Sequence, residues 1–118
     1  MAELHSQAFL DFLPVPVMVM DTYREIVYIN PAFEDLFGWT LEEIRNQHPE
    51  FVPEDQLQKT VTGKNSLIKT GRLKNFETQR RTKDGQILDV IYDGAIFFDS
   101  ADNPAGLIIT LRDRTERR

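Results

Sequence analysis

The stretch Glu25-Ile26-Val27-Tyr28-Ile29-Asn30-Pro31-Ala32-Phe33-Glu34-Asp35-Leu36-Phe37-Gly38 decides how this chain is read. Glu25 to Ile29 is rich in β-branched and aromatic side chains and reads as a strand. Asn30-Pro31 then changes the rule. An asparagine side chain accepts bonds from the free amides of a helix start, and proline suits the first helical position. Phe33, Leu36 and Phe37 fall on one face at helical spacing, and Gly38 tolerates a left-handed cap. A strand runs directly into a capped helix, so both kinds of element share one core.

Toward the N-terminus, Pro16 to Met20 is a second β-rich run, joined to the first by the polar turn Asp21-Thr22-Tyr23-Arg24. Two strands this close predict a hairpin. Leu4, Ala8, Phe9, Phe12 and Leu13 form one helical stripe over Leu4 to Leu13, stopped by Pro14 and Pro16. Toward the C-terminus, Thr40-x-x-Glu43 is a capping box for a second short helix that ends near Asn46. His48 to Pro53 reads as irregular. Glu54-Asp55 places acid in the first turn of a longer helix that runs to Thr70. Leu57, Val61, Leu67 and Ile68 are its apolar residues; Gly63 weakens it and Gly71 ends it. From Lys74 the period becomes two. Asp84-Gly85 marks a tight turn, Ile87 to Phe98 a long strand, Asp99 to Pro104 a polar loop, and Gly106 to Arg112 a last strand.

The predicted order is helix, two strands, three helices, three strands. The last three strands form an antiparallel meander. The first two must join it, because an isolated hairpin is barely stable. The fold class is α+β, with one five-stranded antiparallel sheet and helices covering one face.

The 118 residues suit one domain, and 41% hydrophobic content with eight Phe supports a packed core. A net charge of −5 argues against nucleic-acid binding. There is no cysteine, which removes disulfides, thiolate metal sites and a cysteine nucleophile, and suits a reducing, cytoplasmic setting. No signal peptide is visible and no apolar run approaches membrane-spanning length, although a full-length protein could still be membrane-attached. No Gly-rich phosphate loop, Gly-x-Ser-x-Gly elbow or histidine beside a nucleophile is present, so catalysis is not expected of this segment.

The punctuating residues resemble those of the PAS family of sensory domains, from about Pro14 to Glu116. Ile26 to Phe33 is similar to the family's second strand running into its first core helix. Phe37-Gly38-Trp39-Thr40 with Glu42-Glu43-Ile44, Pro53-Glu54-Asp55, Arg80 to Gly85, and Asp113-Arg114-Thr115-Glu116 resemble further family segments in the right order. Asn46 departs from a frequent glycine, but asparagine also tolerates the left-handed conformation. The resemblance implies a PAS fold over residues 14–116. Residues 1–13 are then an N-terminal flanking helix, and 117–118 the start of an exit linker to an effector domain in the same chain. That effector would be a histidine kinase or a cyclic-dinucleotide enzyme such as a diguanylate cyclase. PAS domains sense small ligands, redox state, light or gas, or they dimerise.

Cysteinyl-flavin photochemistry and a cysteine-linked chromophore both require a residue this chain lacks. Haem-binding relatives commonly use a histidine on the long helix, and Glu54 to Thr70 has none. His5 and His48 are the only histidines, so haem is not expected and no metal pair is formed. Non-covalent flavin stays open, and no cofactor is assigned.

The family's pocket lies between sheet and helices. Alternation sends Met18, Met20, Val27, Ile29, Phe76, Thr78, Arg80, Leu88, Val90, Tyr92, Leu107, Ile109 and Leu111 inward. The helical segments add Phe33, Leu36, Phe37, Phe51, Leu57 and Val61. Ligand contacts are expected from Met18, Met20, Ile29, Phe33, Phe37, Thr78, Arg80, Val90, Tyr92 and Ile109. A buried Arg80 needs a partner, either an anionic ligand such as a carboxylate or an internal acid. A one-residue slip would turn Arg81 inward instead.

The opposite strand set, Val17, Val19, Ile26, Tyr28, Ile87, Ile91, Ile108 and Thr110, is too apolar for a solvated face. A homodimer is expected, with Leu4, Phe9, Phe12 and Leu13 near its interface. The alternative function is a ligand-free dimerisation and protein-interaction module whose interior is filled by its own phenylalanines. Asp113 and Thr115 bond local backbone at the exit of the last strand and are expected to relay a signal.

Overall fold

The computed structural model describes residues 8–46 and 48–114. Residues 8–12 are helical (α1). β1 (Val17–Met20) and β2 (Ile26–Ile29) form the expected hairpin. α2 (Pro31–Phe37) follows directly, with Asn30 as its cap and Gly38 closing it at a φ of 82°. α3 (Leu41–Asn46) opens on the capping box: the Thr40 amide donates to Glu43 Oε1 at 3.0 Å, and the Glu43 amide donates to Thr40 Oγ1 at 3.2 Å. Glu43 is also paired with Lys83, and this pairing holds its carboxyl below the usual carboxylate range.

The segment expected to be irregular contains a helical turn, α4 (His48–Phe51). Pro49 fits there because the first turn of a helix needs no amide donor. A 3-10 turn at Glu54–Gln56 leads into α5 (Leu57–Thr70). β3 (Arg72–Arg81), β4 (Ile87–Phe98) and β5 (Pro104–Asp113) complete the chain. The sheet order is β2-β1-β5-β4-β3 and every pairing is antiparallel. The first hairpin therefore joins the meander through β1 and β5, as the marginal stability of a lone hairpin demands.

Two assignments of facing are corrected. In the first hairpin, Met18 pairs with Ile29 but Met20 pairs with Ile26. Two steps along β1 thus match three along β2. The extra residue is a bulge, and it resets the alternation. Ile26 lies in the core at 5% exposure, whereas Val27 points outward at 42%. On α5, Leu57 and Val61 are also exposed, at 45% and 50%. The face turned to the sheet carries Thr60, Gly63, Lys64 and Leu67, a stripe with the correct helical spacing but few apolar residues.

The reason for that stripe is steric. A methyl group at Gly63 would stand 2.8 Å from Cζ of Phe76. The helix approaches β3 closely because this position has no side chain. β3 also begins earlier than expected and carries a bulge between Leu73 and Phe76. Asn75, at a φ of 52°, absorbs the bulge, and its amide donates to Asp93 Oδ1 at 3.0 Å.

Under α2 and α4, Phe33, Phe37 and Phe51 form a ring cluster with centroids 4.7 to 5.8 Å apart. All three are buried, each contributing about 2–3 kcal/mol of apolar transfer. On the outer face, Val17 is buried, whereas Ile87 remains 41% exposed. Phe9 and Phe12 stand out at 74% and 85% exposure, and Leu13 at 39%. Leu4 and Thr115 lie outside the described residues. Among the described residues no helix is long and apolar enough to cross a membrane.

Candidate ligand cavity

Arg80 sits on β3 and alternates with Gln79 and Arg81, so one residue of register decides its fate. The register places it opposite Leu88 and turns it inward. It is the largest fully buried side chain, 2% exposed. Arg81 is partly exposed and donates from Nη1 to the Glu50 carbonyl at 2.9 Å, which excludes the slipped alternative.

The guanidinium is held from behind by neutral oxygens. Nη1 donates to Thr78 Oγ1 at 3.0 Å and to the Gln79 carbonyl at 2.7 Å. Nη2 donates to Thr60 Oγ1 at 3.0 Å. Each threonine hydroxyl passes its own proton to Gln56: Thr78 to the side-chain oxygen at 2.9 Å, and Thr60 to the backbone carbonyl at 2.8 Å. Gln56 thus anchors both hydroxyls and orients them as acceptors toward Arg80. The guanidinium carbon also lies 5.7 Å from the Phe51 ring centroid and 4.9 Å from that of Tyr92. Among the described residues no carboxylate pairs with it.

Among the described residues two buried polar atoms make no well-aligned hydrogen bond: Nε of Arg80 and the hydroxyl of Tyr92, which Arg80 itself approaches. Both residues line the same partly open cavity, of about 40 Å³. Its remaining wall is mostly apolar, including Met18, Met20, Ile26, Phe51, Leu67, Leu73, Phe76 and Ile109. Lys64 lines it as well and is only partly buried. Desolvation lowers the affinity of its amine for a proton, and the positive charges of Arg24 and Arg80 act in the same sense. Burial raises the pKa of Tyr92, opposed by Arg80, so the phenol stays neutral. The site therefore offers a buried guanidinium, a second weakened cation and two buried polar atoms without a well-aligned partner. Chemically it can receive an acceptor-rich, negatively charged group. A protein interior accepts one water per roughly 10–15 Å³ of such space, so the cavity has room for about three. The residues present fit neither haem nor flavin, because the space is far too small and α5 carries no histidine.

The sequence-derived set divides. Met18, Met20, Arg80, Tyr92 and Ile109 line the cavity. Thr78 stands behind Arg80 and positions it. Ile29, Phe33, Phe37 and Val90 are buried in the core but do not line the space. Thr60, Gly63 and Lys64 were missed because a search for apolar periodicity passes over threonine, glycine and lysine.

Away from the cavity, β5 ends at Asp113, and Arg114 is tied to the sheet on its other side. Its amide donates to the Asp89 carbonyl at 3.0 Å, and its guanidinium pairs with Glu77 at 2.9 Å. Glu77 lies on β3 immediately before Thr78. At the opposite end, Asn30 is fully buried and joins three segments. Its Oδ1 accepts from the amides of Val17 and Phe33, while Nδ2 donates to the carbonyls of Leu10 and Val15. The Tyr28 hydroxyl donates to Asp11, and burial together with that carboxylate raises its pKa.

A family profile described as PAS fold matches residues 4–114. The chain is 29% identical over 112 residues to the Oxygen sensor protein DosP of Escherichia coli (strain K12), covering 92% of this chain and 14% of that protein. It thus spans a small part of the curated relative. Its fold is similar to that of the PAS domain of a protein from Colwellia psychrerythraea, with a TM-score of 0.81, 19% identity and 98% of each chain covered. A PAS domain from a two-component sensor histidine kinase superposes with a TM-score of 0.72 at 13% identity, covering 96% of this chain and 99% of that one.

Proposed function

The chain belongs to the PAS family, and from that premise we propose that it is the sensory module of a longer signalling protein, holding a small anionic ligand against Arg80. PAS sensory domains occur in signalling proteins, and the domain itself is not catalytic. The observation that carries the ligand reading is the buried, carboxylate-free guanidinium whose Nε, like the adjacent Tyr92 hydroxyl, makes no well-aligned hydrogen bond. An uncompensated buried charge is costly, and an entering anion removes that cost.

In this proposal residues 14–116 form the module, and an effector domain follows in the same chain. Similarity to a sensor histidine kinase domain supports a kinase in that role. The route outward runs from Arg80 and Thr78 along β3 to Glu77 and across its ion pair to Arg114, which stands between Asp113 and Thr115 in the sequence. Ligand entry pulls on the guanidinium, and the strand carries the displacement to the exit.

Native mass spectrometry tests the ligand. Excess mass on the folded protein, lost on denaturation, is expected, with retention abolished in Arg80→Met. Bare chain mass for freshly prepared wild-type protein, with no anion raising its melting temperature, would overturn the reading.

The exposure of Phe9 and Phe12 favours a second role beside the first, assembly into a homodimer through the N-terminal segment. Should the cavity stay empty, dimerisation becomes the sole function proposed.

A further inference from the structure

The cavity restricts its occupant more tightly than charge alone. Four features act together. Nη1 and Nη2 of Arg80 are committed to Thr78, Gln79 and Thr60. The donors left over are Nε–H, the second Nη2–H and the Tyr92 O–H, on residues whose guanidinium and ring lie 4.9 Å apart. A carboxylate takes two such bonds at once and offsets the buried guanidinium charge, whereas a neutral amide or alcohol head leaves that charge uncompensated. Thr60 Oγ1 is already bonded both as donor and as acceptor, so it offers nothing further.

Apart from Lys64 and Thr60, the rest of the wall is apolar. Met18, Met20, Leu67 and Ile109 offer no partner to a second charged end. Lys64 is only partly buried and retains access to solvent, so its charge does not require an internal anion. The space of about 40 Å³ admits a head group and a short tail. Flexible methionines allow modest lengthening but no ring system.

We propose that the occupant is a short-chain aliphatic monocarboxylate, its carboxylate bridging the Arg80 Nε–H and the Tyr92 hydroxyl and its tail against Met18, Met20 and Ile109. This rests on the anion-sensing reading and deepens it by fixing head, tail and size.

The test is calorimetric titration of the whole 118-residue chain with sodium acetate, propionate, butyrate, hexanoate and succinate, at matched sodium chloride, alongside neutral butyramide. Propionate or butyrate is expected to bind saturably at one per chain, at least about tenfold tighter than butyramide or succinate. Tyr92→Phe, which removes a hydroxyl with no well-aligned hydrogen bond, should weaken that binding roughly tenfold while leaving the urea midpoint of the ligand-free protein nearly in place. Arg80→Met should abolish it. Equal binding of butyramide, or an unchanged affinity in Tyr92→Phe, overturns the proposal. If succinate binds through Arg80 and no monocarboxylate does, this inference falls while anion sensing stands. If no anion binds and native spectra show bare chain, both fall together.

Discussion

The buried guanidinium of Arg80 places a positive charge inside the fold. Lys64 responds differently, because an amine can shed its proton. Its folded-state pKa is lowered, so the folded protein disfavours the ammonium form relative to the unfolded chain. Protonation therefore subtracts stability below the folded-state pKa, and stability recovers as pH rises from there toward the ordinary value near 10.5. Lys64→Met is expected to be more stable than wild type at pH 7, with the advantage shrinking as pH approaches 10; urea unfolding at the two values checks it. Asn30 makes a separate prediction. Asp at this position keeps both acceptor bonds but cannot donate to Leu10 and Val15. Asn30→Asp should destabilise by about 1–3 kcal/mol and should raise hydrogen exchange most in residues 8–16, not in α2. The sequence identified Asn30 as a helix cap. Its two other roles depend on segments far apart in the chain, which no local pattern records.

At the scale of elements, what alternates plainly was legible. β3, β4 and β5 are long, and from Phe76 to Arg81 β3 pairs with β4 without interruption, so Thr78, Arg80 and Tyr92 were placed inward correctly from sequence alone. β2 is only four residues long, and one bulge was enough to exchange the facings of Ile26 and Val27. α5 misled for a different reason. Its apolar residues at Leu57, Val61 and Ile68 are spaced as a face, yet they point outward. The inward face was chosen by fit to Phe76 and by the need to support Arg80, neither of which raises hydrophobicity. Gly63 makes this measurable. Alanine in a helix interior ordinarily gains up to about 1 kcal/mol over glycine. Here its methyl would collide with the Phe76 ring, so Gly63→Ala is expected to lose about 1–3 kcal/mol. Phe76→Leu should relieve that loss in a double-mutant cycle, because the two changes share one contact.

For the whole molecule, the sheet divides its labour between two faces. The inner face closes over the cavity and the phenylalanine cluster. The outer face remains only partly covered, and Phe9 and Phe12 on α1 are exposed as well. The proposed homodimer predicts that sedimentation of wild type is concentration-dependent, whereas Phe9→Glu with Phe12→Glu sediments as a monomer at every concentration. A monomeric wild type would remove the dimer from the account. The central claim, that Arg80 is kept for binding and not for stability, has a more direct test: urea unfolding of ligand-free wild type and Arg80→Met. Methionine fills a similar volume, and the Thr60 and Thr78 hydroxyls keep their bonds to Gln56. The ring contacts and the three guanidinium hydrogen bonds are lost, and removal of a buried charge without a counterion offsets that loss. The expected result is a variant within about 1 kcal/mol of wild type or above it. A loss of more than about 3 kcal/mol would contradict the account, because it would mean that the ring faces and threonine oxygens already satisfy the guanidinium and leave no vacancy for a ligand to fill.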